Sequence, residues 1–185
     1  MKAILRLATF FLLIIIISSC STSRKSVTYR KSERKSTRIK ANPESREYAK
    51  MRDEVVLQAI QHIGRDYRYG GKKPSTGFDC SGFVSYVFNK AGLKVHGASH
   101  QQARLGSEKP RSELEAGDLI FFGKGKKVSH VAIVVKNKGG DLEVIHSTSS
   151  SGVRIDEISR SSYWNKRYLF SRDVIFEEHR YVTGQ

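Results

Sequence analysis

The stretch Gly117-Asp118-Leu119-Ile120-Phe121-Phe122, followed by His130-Val131-Ala132-Ile133-Val134-Val135, divides the chain into two kinds of sequence. From this point on, apolar residues come in short β-branched and aromatic runs, the composition that suits a pleated, half-buried surface. Residues 137–141 carry turn chemistry, and Leu142-Glu143-Val144-Ile145-His146 resumes the apolar run. The two runs read as a hairpin with a loop of about five residues. Gly152-Val153-Arg154-Ile155 and residues 168–176 complete the expected strands. Upstream the period changes. Met51, Val55, the pair Ala59 and Ile60, and Ile63 recur every three or four residues within 44–63, and Gly64 offers a stop. A glycine-rich turn runs from Tyr69-Gly70-Gly71 through Pro74 to Gly77. Asp79 is placed to cap a second helix, which starts at Cys80 or Ser81, runs to about Ala91 and ends at Gly92. Residues 93–115 read as loop, with a short helix near 99–105. Helices first and strands after predict an α+β fold, N-terminal helices packed on an antiparallel sheet.

The chain has 185 residues, enough for one domain with tails. Hydrophobic residues make up 38% and charged residues 28%, and the formal net charge is +15. Much of that charge precedes the domain. Lys2 and Arg6 stand before the apolar run 7–17, which closes on Ser18-Ser19-Cys20. Charge, a short apolar stretch and small residues at a cleavage point predict an export signal over residues 1–19. The alternative is a membrane-spanning helix, which needs roughly 17–25 apolar residues. Ile17-Ser18-Ser19-Cys20 resembles a bacterial lipobox, which implies cleavage before Cys20 and lipidation of its sulfur. The other reading is a chance cysteine near an ordinary cleavage site. Ser21 follows where an aspartate is associated with inner-membrane retention, so the resemblance points to the outer membrane, facing the periplasm. Residues 20–43 have no apolar periodicity and carry Arg24-Lys25, Arg30-Lys31 and Arg34-Lys35, which predicts a basic, disordered tether. Nucleic acid is the usual partner of such a run, but export and the lack of a nucleic-acid-binding motif exclude it here.

There are two cysteines, Cys20 and Cys80. If the first carries lipid, Cys80 is an unpaired thiol in an exported protein: either a reactive group or an inert buried one. Nucleophilic catalysis by sulfur needs a thiolate, a base, and a group that orients the base. Cys80 lies at an expected helix N-terminus, where backbone N–H groups favour an anion and lower the thiol pKa. Ser81 and Gly82 beside it are small. Of six histidines, His62 falls on the first helix as an expected surface residue, His96 and His100 lie in a loop, and His179 is near the tail. His130 opens a strand apolar on both faces, where a polar ring needs a reason to be. His146 closes the partner strand. Both are candidates for the site, and both also fit as ordinary strand-end histidines.

Phe78-Asp79-Cys80-Ser81-Gly82-Phe83 resembles the nucleophile motif of the NlpC family of cell-wall cysteine peptidases. Tyr67-Arg68-Tyr69-Gly70-Gly71 is similar to the family's approach to it. Residues 116–122 resemble its Pro-Gly-Asp-Leu-Val-Phe-Phe segment, with Ala116 in place of the proline. Ser129-His130-Val131-Ala132-Ile133 resembles the base-bearing strand, and Val144-Ile145-His146-Ser147 the strand of the third residue. Ser99, Gln101 and Gln102 fit the loop after the nucleophile helix. The likeness spans about residues 46–173.

The resemblance implies a papain-like core over residues 44–178, with a tail at 179–185. It implies Cys80 as nucleophile, His130 as general base, and His146 as the polar residue that holds His130 in its useful tautomer. Tyr67 would stabilise the oxyanion with the Cys80 backbone N–H. Asp79 would receive a substrate amine or simply cap the helix, and Ser81 would shape the pocket or simply fit the tight helix start. The implied activity is endopeptidase cleavage of peptidoglycan stem peptides or crosslinks through a thioester. The alternatives are a non-catalytic wall-binding lipoprotein that keeps the fold, and the same chemistry on another amide or ester. No metal-ligand cluster is apparent and no cofactor is expected. The tether would meet anionic lipid or anionic wall polymer, or serve only as a solvated spacer.

Overall fold

In the computed structural model, residues 43–176 are described; the expected export signal, Cys20, the expected tether up to residue 42 and the expected tail lie outside them. Among the described residues, the first three helices precede the strands of the large sheet as expected, while a short fourth helix lies before its last strand, and no helix is long and apolar enough to cross a membrane. Helix α1, Pro43–Ile60, begins on a proline, whose missing N–H costs nothing in a first turn. It buries Val55, Val56 and Ala59. It ends three residues short of the expected end at Ile63: the His62 and Ile63 N–H groups bond back to Ala59 and Ile60, and Gly64 N–H crosses to the Val153 carbonyl at 2.8 Å. Ile63, expected on the apolar stripe, is therefore 40% exposed.

Strands β1 (Lys72–Lys73) and β2 (Gly77–Phe78) make a small hairpin within the expected glycine-rich turn. Helix α2, Cys80–Lys90, follows at once, and α3 spans Ser99–Gln102. The remaining strands are β3 (Ser107–Glu108), β4 (Leu119–Lys124), β5 (Lys127–Lys138), β6 (Asp141–Thr148), β7 (Gly152–Glu157) and β8 (Tyr168–Asp173), with helix α4, Ser162–Asn165, before the last. Beyond β1 and β2, all six join one antiparallel sheet in the order β3-β8-β4-β5-β6-β7.

Side chains alternate across this sheet. Leu119, Phe121, Val131, Ile133, Ile145 and Val153 pack with Val55, Phe83, Val84 and Val87 of the helices in the main core. Ile120, Phe122, Ala132, Val134 and Val144 point the other way, into a second cluster closed by Leu114, Ile158, Trp164 and Tyr168. Two covered faces explain why β5 reads as apolar throughout.

The β5–β6 hairpin is tighter than expected. Its strands continue to Lys138 and resume at Asp141, so Gly139-Gly140 alone makes the turn. Both glycines have positive φ, 64° and 89°, as a two-residue turn matched to strand twist requires. Lys124 likewise pairs with Lys127, so β5 starts before His130 and the histidine stands inside the strand rather than opening it. In both places exposed polar residues continue a strand, and alternation alone made them look like loop. Strand β8 stops at Asp173, short of the expected 176, where the Asp173 carboxylate accepts the Ile175 N–H.

Asp118, fully buried at the start of β4, binds the sheet to α1. Its carboxylate meets Arg52 at 2.6 Å and Lys109 at 3.0 Å, and accepts the Glu115 N–H at 2.8 Å. Arg52 also pairs with Asp173. The Gly-Asp-Leu segment thus holds the fold together away from the histidines.

Candidate active site

The start of α2 is assembled by close backbone approach. A Cβ on Gly82 would collide with the Gly71 carbonyl oxygen, and one on Gly71 with that of Gly77. These two positions therefore require glycine. Asp79 is the N-cap: it accepts the Gly82 N–H at 2.6 Å, and its other oxygen accepts the Gly70 N–H at 2.9 Å. The Ser81 hydroxyl donates to Asp79 at 3.0 Å. Gln102 donates to the Ser81 carbonyl and to Ser85, each at 3.0 Å, and holds the first turn from outside. Asp79 and Ser81 thus meet each other and the backbone at the helix start.

Cys80 is partly buried there and is the free cysteine among the described residues. Burial, with the adjacent Asp79 carboxylate, pushes its thiol up, against the N–H groups of Val131, Ser81 and Cys80 itself, which pull it down. The sequence expectation of a lowered thiol is thus reversed: loss of water outweighs the helix terminus. The Val131 contact places the sulfur against β5, one residue beyond His130.

The histidines form a chain. His130 Nε2 lies 3.0 Å from His146 Nδ1, and His146 Nε2 lies 3.0 Å from Asp156 Oδ2. The other Asp156 oxygen meets Arg154 at 2.6 Å. Trp164 stacks on the His130 ring at 5.1 Å between centroids and packs on His146 at 4.9 Å. His146 is fully buried. Burial, and then His146, lower the His130 pKa to about 3 despite the opposing pull of Asp156, so its ring is neutral around pH 7. Asp156 is held below the ordinary carboxylate range, chiefly by the hydrogen bond from His146. An ionised carboxylate only accepts, so His146 carries its proton on Nε2 and offers Nδ1 as an acceptor. His130 then carries its proton on Nε2, and its Nδ1 is left as a lone pair.

Cys80, His130 and Tyr67 line one open cleft of about 490 Å³, with Arg154, Trp164 and Arg167 on its wall. Tyr67 is bridged to Phe78, two residues before the thiol. Burial and then the neighbouring Cys80 and Asp79 push its phenol up, so it remains a donor at neutral pH. A proton acceptor, a thiol and a hydroxyl donor facing one cleft are competent for acyl transfer. His62, expected on the surface, is instead packed against Phe78 and Tyr86 at 5.6 and 5.1 Å, with its pKa lowered by burial; α1 ends before it and the chain turns inward. His96 and His100 are exposed outside the cleft, and His179 lies outside the described residues. Among the described residues, no group of three or more acidic, histidine or cysteine side chains is placed to hold a metal. Sequence reasoning missed Asp156 and Trp164. Asp156 lies just past the expected strand 152–155, and its meeting with His146 depends on the β6–β7 register, in which Val144 faces Asp156 and His146 faces Arg154.

A thiol at a helix N-terminus, set against a histidine-bearing strand of an antiparallel sheet, defines a papain-like α+β core. The family model described as NlpC/P60 family matches residues 64–173, more than half of the chain, and the chain belongs to that family. It is 36% identical over 124 residues to the gamma-DL-glutamyl hydrolase of Bacillus subtilis, covering 65% of this chain and 29% of that one. It is 34% identical over 126 residues to the murein DD-endopeptidase MepS/murein LD-carboxypeptidase of Escherichia coli, covering 68% and 64%. The crystal structure of the NlpC/p60 domain of the peptidoglycan hydrolase SagA is similar with a TM-score of 0.55 at 33% identity, covering 66% of this chain and 97% of that one. The chain thus spans less than two thirds of the length of both curated relatives.

Proposed function

We propose that this protein is a peptidoglycan endopeptidase that cleaves an amide of the stem peptides or crosslinks through a Cys80 thioester. The observation that carries the proposal is the chain of two 3.0 Å contacts from Asp156 through His146 to His130, a residue that lines the same cleft as Cys80. His130 Nδ1 takes the thiol proton as sulfur attacks the carbonyl carbon. Tyr67 and the Cys80 N–H receive the developing oxyanion. The C–N bond breaks as the proton passes to the leaving amine, and water then attacks the thioester and regenerates the thiol. A raised thiol and a depressed imidazole favour a neutral resting pair, so proton transfer accompanies attack. The relatives' names span γ-DL-glutamyl and DD bonds. Digesting purified peptidoglycan and identifying the muropeptides by mass spectrometry tests the proposal: a defined new terminus supports it, and an unchanged muropeptide profile contradicts it.

The lipobox-like Ile17-Ser18-Ser19-Cys20 supports anchoring through a lipidated Cys20, with the outer membrane facing the periplasm as the proposed site and the basic run over 20–43 as a bridge to anionic lipid or wall polymer. Cys20→Ser should release the protein from membranes. A variant still membrane-bound with its signal uncut would mean a helical anchor instead.

A further inference from the structure

We infer that Asp156 is a positioning residue of the site, acting through His146 to fix the tautomer of His130. The inference rests on the proposed hydrolase reading, but the geometry that supports it does not depend on the substrate. The two carboxylate oxygens of Asp156 are divided between unlike partners. One meets Arg154, whose side chain is 49% exposed, so that pair is water-screened and adds little stability. The other meets Nε2 of His146, which is fully buried and has no water to substitute for the carboxylate. With Nε2–H committed to Asp156, His146 Nδ1 can only accept, and the 3.0 Å contact with His130 is satisfied only by His130 Nε2–H. The opposite tautomer would set a lone pair of His146 against the carboxylate. It would also turn its Nδ1–H toward His130, moving the His130 proton to Nδ1 and leaving no base in the cleft. Neither histidine can select between the two arrangements, because each ring offers one donor and one acceptor either way. Asp156 is the acceptor-only group that breaks the symmetry. Trp164 supports it in two ways: its indole stacks on the His130 ring and packs at a tilt on His146, and its N–H helps hold Asp156 ionised.

Asp156→Asn keeps size and shape but presents a donor as well as an acceptor to His146, and so removes the selection. In the full chain, acting on a soluble muropeptide, kcat should fall about 10-fold to 100-fold, the scale seen when the partner that orients a metal-bound histidine is lost, with little change in KM. In ¹⁵N NMR, the wild-type His146 ring should show protonated Nε2 and acceptor Nδ1, and the Asp156→Asn ring a mixture. In a His146→Ala background, Asp156→Asn should cost nothing further, because the two act in series. An unchanged His146 tautomer, a wild-type kcat, or a further loss in the His146→Ala background would each overturn the inference. A wild-type protein inert on peptidoglycan whose His146 tautomer still responds to Asp156→Asn would contradict the substrate assignment and support the relay.

Discussion

The Ser147 hydroxyl donates to the Phe78 carbonyl at 2.8 Å in the protein interior, and this bond ties strand β6 to the segment that presents Cys80. Ser147 follows His146, and Phe78 precedes the helix cap Asp79, so this contact joins the Val131 N–H on the Cys80 sulfur in holding the two halves of the site together. Ser147→Ala removes one of the two donors to the Phe78 carbonyl, which keeps the Arg68 N–H at 3.1 Å, at a cost of about 0.5–1.5 kcal/mol. Hydrolysis should fall with no change of any cleft group that reacts. Denaturant unfolding and turnover measured on one preparation check both effects together.

Asp118 is buried against Arg52 and Lys109 and does not line the cleft. Asp118→Asn should destabilise the protein by about 3 kcal/mol, the lower end for breaking a buried pair, since Arg52 keeps Asp173. Thermal unfolding checks it. Turnover of the remaining folded protein should stay close to normal.

Tyr67→Phe keeps the ring in the cleft wall and removes one donor from the cleft. A rate loss of about 10²–10³ is the scale for an oxyanion contact. Steady-state kinetics should place the loss in kcat. A loss confined to KM would make Tyr67 a binding residue instead.

Stability should depend on pH through His130. Its folded-state pKa lies near 3 against 6.5 for an unperturbed ring, so between these values the unfolded chain binds the proton more readily. The contribution is fully present above 6.5 and is lost as pH falls toward 3. His62 is shifted the same way, so wild type should be compared with His130→Gln. Urea unfolding at pH 6.5 and pH 5 should show a steeper loss in wild type; equal slopes would contradict the burial of a neutral His130.

Much of this was legible in the sequence, and what was not has physical causes. The order of helices and strands follows from the change of period at Gly117, and Asp79-Cys80 announces a capped helix start because cap chemistry is local. Cys80, His130 and His146 could be picked out by residue type and setting, and the structure places Cys80 and His130 on one cleft with His146 in contact behind His130. The turn at Gly139-Gly140 was overestimated because Asn137 and Lys138 are polar yet remain paired in the sheet. The sign of the Cys80 shift was not readable, since burial is a property of the packed fold. Asp156 was invisible for the same reason: a carboxylate on an edge strand means little until register sets it beside a buried imidazole. At the motif positions, Ser81 bonds the cap residue Asp79 and Gly82 admits the Gly71 carbonyl, contacts that only the packed fold reveals.

The most direct test of the central claim compares hydrolysis of purified peptidoglycan by wild type and by Cys80→Ala, with circular dichroism to confirm that both are folded. The account predicts hydrolysis by wild type, its abolition in Cys80→Ala, and a nearly equal loss in His130→Ala, because nucleophile and base act as a unit. Undiminished hydrolysis by a folded Cys80→Ala protein would contradict it.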